Sequence, residues 1–281
     1  RAFSVIYKPE KVIVGRDIRL TSKPLADELI RGFIDGGTNV IDIGLCGTEQ
    51  VYHATGAFEA QGGVMITASH NPMNYNGLKL VKEGARPISG DTGLMDIYAL
   101  LEKGLFADGL ADGRSRGIVE TVDSTEDYLT HLLGMVDVSQ MKPLKIVANG
   151  GNGCAGPIIE ALEKKVPLEF INLYMEPDGT FPNGVPNPLL PEKREDTAKA
   201  VLENQADLGI AWDGDFDRCF FFDHKGRFID SYYIVGFLAE IFIQSNPGAT
   251  IIYDPRVIWN TEEIVKKFDG TEALQSVLQQ L

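Results

Sequence analysis

Positive charge is scarce in this 281-residue chain, where 26 lysines and arginines stand against 40 aspartates and glutamates, a formal net charge of −14. No basic run offsets that field. Neither a nucleic-acid backbone nor an anionic membrane surface is therefore an expected partner, and an anionic ligand would need cations gathered locally. Cysteine is sparse as well. Cys46, Cys154 and Cys219 are odd in number, far apart and outside any CxxC spacing, which argues against a disulfide framework and a zinc site and fits a reducing cytoplasm. Long apolar runs are also lacking: "YIVGFLAEIFI" is short, is interrupted by Glu240, and stays well below the roughly 20 residues that span a bilayer. The chain opens on Arg1 with neither an initiating Met nor a signal-peptide pattern, so a trimmed start is expected.

What is present reads as soluble α/β material, with 44% apolar and 23% charged residues. β-Branched runs alternate with amphipathic stretches: "KVIVG" at 11–15, a helix at 24–37, "NVIDIG" at 39–44, a helix at 48–60, and "GVMITAS" at 63–69. That alternation predicts a sheet covered by helices. A second series begins at "LKIVANGGNG" and runs through helices at 154–165 and 193–205 to the paired strands "DLGIAWD" and "RCFFFD", with "SYYIVGFLAEIFIQ" as a closing helix. The division expected is 1–142, 143–247 and 248–281, the last too short to bury a core alone.

The densest chemical signal is "WDGDFDR" at 212–218, where Asp213, Asp215 and Asp217 crowd three carboxylates into five residues after an apolar strand. Like charges so close raise one another's pKa unless a cation sits among them, and oxygen-only ligands suit Mg²⁺ or Ca²⁺. A calcium EF-hand loop fails on position, because its sixth residue is Arg218 instead of Gly and its twelfth is His224 instead of Glu. A solvated acidic turn is the plain alternative, although Arg218 beside the loop suits a bound phosphate.

Ser69, in "TASHNP", stands on a strand-to-turn corner next to His70. Its hydroxyl is either a nucleophile or the cap of an ST-turn; with no GxSxG elbow, a Ser-His-Asp hydrolase is not indicated. Lys79, Lys82 and Arg86 follow it, while Arg16 and Arg19 lie after the first strand. These basic loops either gather phosphate oxygens or pair with Asp17, Glu83 and Asp91. "NGGNGCAG" lacks both the GKS/T of a P-loop and GxGxxG spacing, which leaves a tight strand-helix turn.

Together, "GRDIR" at 15–19, "TASHNP" at 67–72, "NGLK" at 76–79, "PDGTFPNGVPNP" at 177–188 and "DGDFDR" at 213–218 resemble the α-D-phosphohexomutase superfamily, most closely its bacterial-type phosphomannomutases. The resemblance implies consecutive α/β domains, each a mixed sheet covered by helices, with the third incomplete. It implies that Ser69 carries a phosphoryl group, that Asp213, Asp215 and Asp217 hold one Mg²⁺ with a phosphoserine oxygen of Ser69, that His70 and Lys79 assist proton transfer, and that Arg218 contacts the phosphoryl group. Arg16 and Arg19 are candidates for further phosphate contacts. The implied reaction interconverts mannose 6-phosphate and mannose 1-phosphate through a 1,6-bisphosphate, with hexose 1,6-bisphosphate as activator and a phosphosugar as the partner. The sugar-reading "GEMS"-type loop and the C-terminal phosphate-gripping loop of the superfamily are absent, and "TEALQSVLQQL" does not match it. A non-catalytic Mg²⁺-binding remnant, or a phosphoglucomutase or phosphoglucosamine mutase, therefore stay open as alternatives.

Overall fold

The computed structural model describes residues 1–104, 115–253, 258–268 and 271–274. After a short helix α1 (Ala2–Tyr7), strand β1 (Lys11–Arg16) runs through the centre of the first sheet, with Val12, Ile13 and Val14 fully buried. A strand apolar on both faces must be covered on both sides, and each such side chain contributes about 1.5–3 kcal/mol on burial. Helix α2 (Ser22–Asp35) supplies one cover through Ala26, Ile30 and Phe33. It begins two residues before Pro24, which is tolerated because first-turn N–H groups have no helical partner. Strand β2 (Asn39–Leu45), helix α3 (Thr48–Ala57) and strand β3 (Gly62–Ile66) complete a parallel core, and α3 covers the opposite face around Ile13, Val51 and Met65.

The chain then turns back. Strand β4 (Leu78–Lys82) pairs antiparallel with β3, and β5 (Arg86–Pro87) pairs with β4. Beyond helix α4 (Leu94–Glu102), β6 (Val119–Thr121) closes the other edge, which gives the order β5-β4-β3-β1-β2-β6. The stretch 105–114 lies outside the described residues.

A second sheet repeats this plan. Strand β7 (Lys145–Asn149), helix α6 (Ala155–Glu163), strand β8 (Glu169–Leu173), helix α7 (Glu195–Glu203) and strand β9 (Leu208–Trp212) form its parallel part. Strands β10 (Cys219–Asp223) and β11 (Phe228–Ile229) then fold back antiparallel, in the order β11-β10-β9-β7-β8. In each sheet, the loop leaving the third parallel strand for its antiparallel neighbour lies at a carboxyl end: residues 67–77 in the first and 213–218 in the second.

Packing ties elements together across both expected borders. Helix α5 (Thr125–Gly134) buries Tyr128 and Leu129 in one cluster with Ile158 and Ile159 of α6, while the Tyr128 ring also meets His53 of α3. Helix α8 (Ser231–Ser245) packs on α9 (Ile258–Lys267), with Asn260 Nδ2 donating to the Tyr232 carbonyl at 3.1 Å. In the last piece, β12 (Thr250–Tyr253) and β13 (Thr271–Leu274) pair in parallel.

Candidate active site

The two equivalent loops meet. Ser69 Oγ lies 2.6 Å from Asp213 Oδ2, across 144 residues of sequence. The loop bearing Ser69 is closed by the Ile66–Leu78 pair, and the aspartate loop by the Trp212–Cys219 pair. The backbone carbonyl of Ser69 comes so close to Gly214 that a Cβ there would sit 2.7 Å from it, which is why the middle of Asp-Gly-Asp carries no side chain.

Ser69 is buried, with φ of +52°, a left-handed conformation that costs a non-glycine residue about 1–3 kcal/mol and clusters at functional positions. The turn-capping role belongs to its neighbour: Thr67 Oγ1 accepts the Ser69 amide at 2.8 Å. The Ser69 hydroxyl faces the aspartates; Arg218 Nη2 donates to it at 2.5 Å, and His70 Nδ1 lies 3.4 Å from it. Because Arg218 Nη2 also donates to His70 Nδ1 at 2.6 Å, that nitrogen is an acceptor and the ring is neutral. Burial, then the Arg218 charge, holds its pKa below the ordinary histidine value.

Asp213 and Asp215 are almost fully buried, while Asp217 is partly exposed. Burial, then the charge of Asp215, pushes the Asp213 carboxyl up. Burial acts the same way on Asp215, but the Lys79 ammonium overrides it and holds that carboxyl below the usual range. Lys79, on β4, places Nζ 2.6 Å from both Asp215 Oδ2 and Asp217 Oδ2, and despite its own burial its pKa is raised by Asp215.

A divalent cation fits this donor set. One oxygen from each of Asp213, Asp215 and Asp217 lies within 4.8 Å of the others. Asp215 Oδ1 and Asp217 Oδ1 are buried with no hydrogen-bond partner. Arg218 Nε stands 3.5 Å from the latter, a charge contact and not a hydrogen bond. Buried carboxylate oxygens without donors are costly unless a cation satisfies them, and an all-oxygen set suits a hard ion. Next to that set lies the Ser69 hydroxyl, with the Arg218 guanidinium and the His70 imidazole beside it and the Lys79 ammonium on the neighbouring carboxylates, the kinds of group that phosphoryl transfer uses.

The family model of phosphoglucomutase/phosphomannomutase α/β/α domain I matches residues 2–108, and that of domain II matches residues 126–226. The chain belongs to the phosphoglucomutase/phosphomannomutase family. It is 53% identical over 279 residues to a phosphomannomutase of Salmonella typhimurium, an alignment that takes in 98% of this chain and 61% of the relative. A phosphomannomutase of Escherichia coli K12 is 51% identical over the same length, with 61% of it covered. Among solved structures, a phosphoglucomutase/phosphomannomutase family protein of Burkholderia thailandensis superposes with a TM-score of 0.88 at 31% identity, covering 98% of this chain and 60% of that one. The chain thus spans about 60% of the length of the relatives it matches.

The two arginines of "GRDIR" are placed differently. Arg16, at the end of β1, is half-buried and donates from Nη1 to the Asp17 carbonyl at 3.4 Å. Arg19 does not fit the phosphate-contact role expected of it. Its side chain is wholly buried, its Nε lies 3.2 Å from Asp17 Oδ2, and both Nη atoms are committed to backbone carbonyls, so no face of the guanidinium is open to a ligand. Thr48 is a site residue the motifs did not single out. At the start of α3, fully buried, it donates its amide to the Asp215 carbonyl at 3.1 Å and its hydroxyl to Asp215 Oδ2 at 2.6 Å. Its only sequence signal was a helix-start threonine, which normally caps its own helix.

Proposed function

We propose that this chain carries the phosphoryl-transfer centre of a phosphohexomutase that interconverts mannose 6-phosphate and mannose 1-phosphate in the cytoplasm. The observation that carries the reading is the 2.6 Å approach of Ser69 Oγ to Asp213 within the three-aspartate loop. The names of the relatives support mannose as the sugar. Among the described residues no helix is long and apolar enough to cross a membrane.

In this reading Ser69 Oγ takes a phosphoryl group from a hexose 1,6-bisphosphate activator. The new Oγ–P bond replaces the sugar's O–P bond, the sugar oxygen leaves protonated, and the Ser69 proton departs. The phosphoserine then gives its phosphoryl group to the hydroxyl of a bound hexose monophosphate. After the resulting 1,6-bisphosphate reorients, Ser69 recovers the other phosphoryl group. Arg218, already on Ser69 Oγ, stabilises the charge spread over the transferring oxygens; neutral His70, 3.4 Å from Ser69 Oγ, assists proton transfer, and Lys79 on the neighbouring carboxylates is the second group assigned to it. Asp213, Asp215 and Asp217 would hold Mg²⁺, which supplies charge neutralisation of the phosphoryl oxygens when bound. The overall acidity of the chain does not oppose an anionic substrate, because the cationic groups are concentrated where the phosphoryl group sits.

Intact-mass measurement tests this directly. Incubation with hexose 1,6-bisphosphate and Mg²⁺ adds one phosphoryl group to the parent chain and none to Ser69→Ala; a parent whose mass does not change refutes the carrier role. Uptake without any turnover of mannose 1-phosphate in a coupled assay would instead identify a half-site that keeps the nucleophile and lacks the grip on the distal phosphate.

A further inference from the structure

Two features are left over once Ser69 and the aspartates are accounted for: the buried Arg19 and the loop "PDGTFPNGVPNP" at 177–188. They touch. Arg19 sends Nη1 to the carbonyls of Pro72, at 2.8 Å, and Tyr75, at 3.1 Å, and Nη2 to those of Ser69 and Asn71, each at 2.7 Å. Four donors of one side chain thus hold four points of the loop that bears the nucleophile. A buried guanidinium is costly unless its donors are met; the four Nη donors are met only in one arrangement of the loop, while Nε has no hydrogen-bond partner and keeps only the charge contact with Asp17 Oδ2 at 3.2 Å. That arrangement includes Ser69 in the left-handed region, which a loop free to relax would leave.

Arg19 is in turn held from the other α/β unit. The buried Phe181 ring lies 5.6 Å from the Arg19 Cζ, and Gly179 is so close to the first unit that a Cβ there would sit 2.3 Å from the Ile18 carbonyl. The loop carrying both is pinned by Asn152, whose carbonyl accepts the Asp178 amide and whose Oδ1 accepts Asn183 Nδ2, each at 2.9 Å. The Asp17 carboxylate completes the hold by accepting the Arg19 amide at 3.0 Å.

We propose that Arg19, clamped by Phe181 across the junction between the two sheets, is the positioning residue that keeps Ser69 Oγ aimed at the aspartate loop. The proposal rests on the reading of Ser69 as the phosphoryl carrier. It assigns the 177–188 loop a task in the first unit, although that loop belongs to the second, and it separates two arginines that stand three residues apart.

The test compares Arg19→Lys and Phe181→Leu with the parent chain, and with Val201→Ala as a control for general destabilisation far from the loop. Hydrogen exchange resolved by peptide reads the hold itself. In both variants, amides in 68–77 are expected to exchange about tenfold faster, while 209–223 stays within about twofold of the parent and Val201→Ala leaves 68–77 unchanged. Phosphoryl uptake reads the consequence: the maximal rate falls about tenfold, while the half-saturating bisphosphate concentration and the Mg²⁺ affinity stay within about twofold. Parent-like exchange in 68–77, or parent-like uptake in a folded variant, overturns the proposal. If Arg19→Lys does not fold, Phe181→Leu decides the matter alone. If the parent takes up no phosphoryl group, the carrier reading fails, and the exchange comparison still decides whether Arg19 holds the loop.

Discussion

Replacing Thr48 with valine probes the site through a group that no short motif announces. Valine keeps the shape and the backbone amide, so the bond to the Asp215 carbonyl survives, but the hydroxyl that donates to Asp215 Oδ2 at 2.6 Å is lost. A hydrogen bond to a buried charged group is worth about 1.5–3 kcal/mol. Because Lys79 Nζ remains 2.6 Å from the same oxygen, the loss should fall near the lower end, about 1.5–2 kcal/mol. At about 2–4 °C per kcal/mol for a protein approaching this size, the melting temperature should fall by about 3–8 °C. The carboxylate also loses one of the two groups that orient it. Removing such an outer partner of a metal ligand commonly costs about 10–100-fold in metal affinity, so calorimetric titration with Mg²⁺ should show at least a tenfold weaker site. Thr48→Ser, which retains the hydroxyl, should behave nearly as the parent. A Thr48→Val protein that melts within about 1 °C of the parent and binds Mg²⁺ within about twofold would show that Asp215 needs no help from α3, and the reasoning would fall.

Other expectations follow from the same geometry. Asp215→Asn should weaken Mg²⁺ binding and suppress phosphoryl uptake while the far-ultraviolet circular dichroism stays that of the parent; unchanged calorimetric affinity would remove the loop as the metal site. Gly214→Ala would place a Cβ 2.7 Å from the Ser69 carbonyl, so the two loops must separate, at a cost of about 1–3 kcal/mol from overpacking; a urea midpoint equal to the parent's would contradict the contact. Cys46 is buried and its thiol is pushed up to about 12 by that burial, and burial likewise raises Cys154. Both should therefore resist iodoacetamide near about pH 8 in the folded protein and react once urea exposes them. Rapid labelling of either in the native state would mean that its surroundings open to solvent.

Much of this architecture was legible in the chain because it depends on near neighbours. The runs "KVIVG", "NVIDIG" and "LKIVANG" announce strands by their unbroken β-branched character, and the spacing of the 213–218 carboxylates marks a candidate cation loop, with a solvated acidic turn as its alternative. What the sequence could not decide was which distant groups face each other. Nothing local distinguishes Arg16 from Arg19, yet one ends a strand and the other is buried under the Ser69 loop. Thr48 reads as an ordinary helix start until folding sets it against a carboxylate 167 residues away. Helices α5 and α8 keep the same apolar faces whichever neighbours they meet, so their packing on α6 and α9 could not be read from composition. Periodicity and turn chemistry are written in contiguous residues. The pairing of a hydroxyl with an aspartate from another sheet depends on how two compact layers dock, and that is decided by the summed burial and polar satisfaction of the whole chain.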